Sequence, residues 1–167
     1  MSAPDGKTGE PRVRVIVADD DVIARRLLQA PLEAAGMDVT AVENGTAFLE
    51  KIDATYDAAV LDLWMPDVDG LQCLQQMRAR GLDIPSIVVT AERAPERVVE
   101  AMKAGAFHYL TKPFPADEIV LLIGQATQSR RLAVENASLR AALQTAGGGS
   151  DWVAWSEIGR ASCRERV

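Results

Sequence analysis

The run VRVIVADD, Val13 to Asp20, is apolar, about the length of a strand, and ends on two carboxylates. Three later runs repeat that form: AAVLD (Ala58 to Asp62), SIVVT (Ser86 to Thr90) and FHYLTK (Phe107 to Lys112). Each is too short for a helix. Helical patterns separate them, which predicts βαβ units and a parallel sheet. In open α/β sheets, ligands bind beyond the carboxyl ends of the strands. The residues that close the runs, Asp19, Asp20, Asp62, Thr90 and Lys112, are therefore expected to converge on one edge, although they lie far apart in the chain.

Working outward, the first strand is predicted over 13–18 and a helix from near Asp21 to Ala35, closed by Gly36. Pro31 falls inside that helix and is expected to kink or weaken it. A short strand over 38–42 leads to a turn at Asn44-Gly45, and Thr46 is the expected cap of a helix reaching about Asp53. The wholly apolar third strand, 58–61, suits a sheet covered on both faces. After the loop LWMPDVDG come a helix over 71–80 stopped by Gly81, a strand over 84–89 and a helix opened by Pro95. Gly105 closes that helix, and the fifth strand covers 107–110. Pro115 and Asp117 start a last helix with Ile119, Leu122, Ile123 and Ala126 on its buried face. Five strands alternating with five helices make a three-layer sandwich.

Bulk composition bounds the function. In 167 residues there is room for one compact domain and an extension, and 48% hydrophobic residues can fill a core. A net charge of −6 argues against a general grip on nucleic acid by this segment. No apolar run reaches membrane-spanning length. The N-terminal MSAPDGKTGEPR lacks the apolar core of a secretory signal and reads as a short disordered tail over 1–11. Two cysteines, Cys73 and Cys163, with no CxxC pair, fit a reducing, cytoplasmic setting without structural zinc. Cys73 is expected to pack as a small apolar residue.

The converging residues form a chemical set. Three carboxylates crowded together repel one another, and a hard cation such as Mg²⁺ relieves that with oxygen ligands. Thr90 offers a hydroxyl, and Lys112 a point charge for a phosphate oxygen. Metal, ammonium and hydroxyl around one carboxylate suit the stabilisation of a transferring phosphoryl group. A carboxylate can itself be the nucleophile, and Asp62, alone at its strand end, is the best candidate. Taken singly, Asp19 and Asp20 read as a helix cap, Thr90 as a strand residue, Lys112 as a solvated lysine and Tyr109 as core. The argument rests on the set.

VADD, VLDLWMPDVDG, VVTAE and YLTKPF, in that order, resemble the receiver domain of bacterial two-component response regulators. The likeness covers about 12–128. It implies a flavodoxin-like, doubly wound sheet of order 2-1-3-4-5 and phosphoryl transfer to Asp62 from a histidine kinase or phosphotransfer protein. It implies Mg²⁺ held by Asp19, Asp20, Asp62 and the backbone carbonyl of Trp64, with Lys112 on the phosphoryl group and a cis bond before Pro113. Thr90 would move toward the phosphoryl oxygen and Tyr109 would swing inward, switching the face made by the fourth helix, fifth strand and fifth helix. Such a chain is a phosphoacceptor rather than an enzyme, at most slowly dephosphorylating itself.

Several residues stand outside that frame. Trp64, two after Asp62, is expected to shield the aspartyl-phosphate from water, and Glu92, two after Thr90, to line the mouth. His108, the only histidine, has no metal-binding partner and reads as a surface residue. Met65 and Met102 read as packing, and Asp67 and Asp69 as residues that shape the loop. Leu132, Asn136, Leu139 and Leu143 are spaced as a short coiled-coil seam, with Asn favouring a parallel two-stranded register. The stretch RRLAVENASLRAAL resembles the linker following receivers in sigma-54-dependent activators. An extended helix over 129–145 and homodimerisation are thus expected, with a flexible linker over 146–156. Residues 157–167, EIGRASCRERV, resemble the in-frame translation of a sequencing adapter, so they are expected to be non-native and to stand where an output domain would follow; the rival reading is that IGRAS opens an ATPase module, since those activators carry a similar IG-x-S start. The leading reading is the regulatory part of a transcriptional regulator. A stand-alone phosphorylation-dependent adaptor is the alternative. An aspartate-nucleophile phosphatase would need a DxDxT loop, which VADDDVIA lacks.

Overall fold

The computed structural model describes residues 11–91 and 95–146. Expectations for the N-terminal tail, for Glu92, for the linker after residue 146 and for the segment 157–167 with Cys163 lie outside them. The chain divides into two compact units, Met1–Gln128 and Ser129–Val167. In the first, β1 (Arg14–Ala18), α1 (Val22–Ala34), β2 (Asp38–Val42), α2 (Gly45–Lys51) and β3 (Ala58–Asp62) lead to α3 (Gly70–Ala79), β4 (Ser86–Thr90), α4 (Pro95–Lys103) and β5 (His108–Thr111). The last helix, α5 (Ala116–Ala146), begins in the first unit and ends in the second.

The sheet is parallel with order β2-β1-β3-β4-β5, the flavodoxin-like, doubly wound arrangement expected. Strand side chains alternate between faces, and each face finds its own helices. Val15, Val17, Val60, Ile87 and Val89 pack with Leu28 and Leu32 of α1 and Ile119, Leu122 and Ile123 of α5. Ile16, Ala18, Ala59, Leu61 and Val88 pack with Phe48 of α2, Leu74 and Met77 of α3 and Ala101 of α4. Burial on both faces explains why the central strands read as unbroken apolar runs.

Element ends follow local chemistry. Gly36, Gly81 and Gly105 all have positive φ and close α1, α3 and α4. Pro31 lies inside α1, as expected, and Pro95 opens α4. The cap of α2 is a correction: Asn44, not Thr46, accepts the Ala47 N–H (2.7 Å), and Gly45 is already helical. A Cβ at Gly45 would run into the Val68 carbonyl oxygen, so that close approach needs glycine. The fourth strand begins at Ser86 rather than 84. Pro85 has no N–H to give the ladder, although its carbonyl accepts from Ala59. The fifth strand runs one residue later than expected. Met102 is 41% exposed, so it is not the packing residue it was read as, whereas Met65 packs against the core and Cys73 is fully buried.

Candidate functional site

Register brings the site together. Ala18 pairs with Leu61, so Asp19 and Asp62 follow side by side at the carboxyl ends of β1 and β3. Asp62 pairs with Val89, which sets Thr90 one residue beyond it on β4. Thr90 pairs with Thr111, and the Lys112 N–H donates to the Thr90 carbonyl (2.9 Å). Four short parallel strands, β1, β3, β4 and β5, thus deliver four side chains to one edge without any long-range sequence signal.

Contacts at that edge are tight. Lys112 Nζ lies 2.6 Å from Asp19 Oδ2 and 3.6 Å from Asp62 Oδ2. Asp19 is fully buried, Asp62 nearly so, and Thr90 is buried. Carboxylate oxygens of Asp19, Asp20 and Asp62 lie within 4.8 Å of one another, with Asp20 exposed on the open side. Asp19 also accepts the Asp21 N–H (2.9 Å), while the Arg25 guanidinium donates to its carbonyl (2.7 Å). Asp21 in turn caps α1 by accepting the Ile23 N–H. Among the described residues no buried side-chain nitrogen or oxygen lacks a hydrogen-bond partner.

Electrostatics sets Asp62 apart. Burial pushes its carboxyl up to about 6, against the pull of the Lys112 charge and the Trp64 N–H bond, with Asp19 and Asp20 adding to the rise. Burial works the other way on Lys112. The Asp19 hydrogen bond and the two carboxylates outweigh it and hold the ammonium above its ordinary value. Three oxygen donors of like charge this near one another are a donor set for a hard divalent cation, which would relieve their repulsion.

The loop after β3 is built by its own residues. Asp62 Oδ1 accepts the Trp64 N–H (3.2 Å). Asp67 holds a positive φ, which a short polar side chain tolerates. Asp69 caps α3 in a reciprocal box with Gln72. A Cβ at Gly70 would collide with the Asp62 carbonyl oxygen, so glycine lets α3 start directly under the acidic edge. Trp64 is 46% exposed, and its indole lies under the Arg97 guanidinium of α4, 4.6 Å from the ring centroid.

Most of the expected residues meet at this edge: Asp19, Asp20, Asp62, Thr90 and Lys112. The Lys112-Pro113 bond is cis. Tyr109 stands away on β5, 42% exposed and stacked beside His108, which is also exposed. Sequence reasoning missed Arg97 and Arg25. Neither sits in a recognisable pattern, since a charged residue on a helix looks like any solvated one. The Asp69–Gln72 box was readable from its spacing.

The family model for response regulator receiver domains matches residues 15–124. Among curated proteins, the regulatory protein AtoC of Escherichia coli is 34% identical over 133 residues, 79% of this chain and 29% of AtoC. The DNA-binding transcriptional regulator NtrC of Escherichia coli is 41% identical over 113 residues, 67% of this chain and 24% of NtrC. The chain thus spans under a third of the length of these relatives. Among solved structures, the Francisella response regulator 1452 receiver domain is similar with a TM-score of 0.65 and 30% identity, covering 71% of this chain and 99% of that one. The sheet order, the acidic edge and these matches agree: the chain belongs to the receiver domains of two-component response regulators, a family of signalling domains.

Proposed function

We propose that Asp62 accepts a phosphoryl group from a histidine kinase or phosphotransfer protein and that this switches a regulatory surface. A carboxylate oxygen of Asp62 bonds to phosphorus as the donor's bond to phosphorus breaks. What carries this reading is the meeting of Asp62 with Asp19, Asp20 and Lys112 at the carboxyl edge of the sheet. Lys112 is near enough to Asp62 to hold an oxygen of the transferred group, and its raised pKa keeps it charged for that task. Asp62 must be ionised to attack, so its raised pKa calls for a compensating charge. Asp19, Asp20 and Asp62, with the Trp64 carbonyl, would hold Mg²⁺, which when bound neutralises charge on the phosphoryl oxygens.

Thr90 and Tyr109 would carry the change outward. Thr90 would turn its hydroxyl toward the new phosphoryl oxygen. Tyr109, exposed on β5, would move inward behind it and alter the face of α4, β5 and α5. The helical extension 129–145 would pair two copies, because Leu132, Leu139 and Leu143 are exposed on it at seam spacing. NtrC is a DNA-binding transcriptional regulator, and this chain would serve the same end through a further domain.

The test is direct. The full chain is treated with acetyl phosphate and Mg²⁺ and weighed by mass spectrometry, with Asp62→Asn and a chelator as controls. One added phosphoryl group is expected, lost in both controls. Labelling that survives Asp62→Asn would reassign the acceptor.

A further inference from the structure

We infer that Arg97 is a positioning residue: by stacking on the Trp64 indole it holds that ring beside Asp62 and slows the loss of phosphate from it. The inference rests on the reading of Asp62 as the acceptor. It starts from a contact that joins two separate elements. The Trp64 N–H is fixed on Asp62 Oδ1 (3.2 Å), so the indole hangs from the main chain that touches the acceptor carboxylate. Trp64 is not among the buried core residues and is nearly half exposed.

The Arg97 guanidinium covers one face of this ring, well inside the range of a cation–π contact. Arg97 is fixed in its turn. It lies 3.8 Å from Asp69 Oδ2, the cap of α3, and 3.7 Å from Glu100 Oε2, one turn on along α4. A planar guanidinium can stack on a ring and meet carboxylates at its edge, which a lysine ammonium cannot reproduce. Arg97 is thus the one side chain among those described that links Trp64 and the α3 cap to the first turn of α4.

Hydrolysis of the aspartyl-phosphate requires a water oxygen to bond to phosphorus while the bond from phosphorus to the Asp62 oxygen breaks. That regenerates the carboxylate, releases inorganic phosphate and leaves a proton in solution. A large ring held at the residue that caps Asp62 restricts the approach of that water. A ring freed from its guanidinium samples other rotamers and restricts it less.

The full chain is phosphorylated with acetyl phosphate and Mg²⁺, the donor is removed, and loss of phosphate is followed over time. Arg97→Ala and Trp64→Ala should each speed the loss about twofold to fivefold, the scale of an exposed cation–π contact. The double variant should be no faster than the faster single one, because both remove the same contact. Trp64→Phe, which keeps a ring face, and Arg97→Lys, which keeps only the charge, should fall between. A merely structural role for Arg97 would lower the melting temperature and leave the rate constant alone. An unchanged or slower rate in Arg97→Ala, or effects that multiply in the double variant, would overturn the inference while Asp62 stands. Failure to label Asp62 in the unsubstituted chain would remove both.

Discussion

At the scale of single residues, Asp62 is held in a costly state. Its carboxyl titrates near 6 in the folded protein against an ordinary 3.8, chiefly because it is buried. The neutral form therefore favours folding. That contribution is complete below about pH 4 and is lost as pH rises through about 6. Asp62→Asn, which cannot ionise, should gain stability relative to the unsubstituted chain as pH rises to about 8, by on the order of 3 kcal/mol. Denaturant melts at several pH values without divalent cations check this, and a constant difference would contradict it. Mg²⁺ should shrink the gap, since a cation bound only by the folded state stabilises that state. The carboxylates and Lys112 were legible in the sequence because each ends an apolar run. The Asp62 environment was not legible, since burial of a strand-end residue depends on what packs above it. The stacking of Arg97 on Trp64 was invisible for a related reason: it joins α4 to a loop more than thirty positions earlier, at no fixed spacing.

At the scale of elements, the site depends on where α3 starts. Asp69 caps it, and Asp69→Ala should cost about 1 kcal/mol, read as a fall of a few degrees in melting temperature. Gly70→Ala should be worse, because its Cβ would displace the Asp62 carbonyl. That variant is expected to lose both stability and phosphoryl acceptance, and a variant that melts and labels normally would show that the loop can yield at no cost. Apolar runs and helix-ending glycines made the alternation of strands and helices readable. Boundaries were less so. Asn44 outranked Thr46 as a cap because its side chain reached the Ala47 N–H, and Pro85 held back the start of β4 by its missing donor. The α2–loop contact at Gly45 could not be read at all, since Val68 lies more than twenty residues away.

At the scale of the whole molecule, α5 continues to Ala146, and from residue 131 to 146 every residue is exposed. Exposed Leu139 and Leu143 on one seam are unusual for a helix meant to stay alone in water. Light scattering on the full chain should give a dimer, and Leu139→Asp should shift it to monomer without changing labelling of Asp62. A monomer at every concentration would contradict pairing through the extension. Among the described residues no helix is long and apolar enough to cross a membrane. The central claim concerns which carboxylate takes the phosphoryl group, and reductive trapping tests it most directly. The phosphorylated chain is reduced with borohydride, which converts an aspartyl-phosphate to homoserine, and the altered residue is located by tandem mass spectrometry. Conversion at position 62 is the expected result; conversion at Asp19, Asp20 or any residue away from this edge would contradict the account.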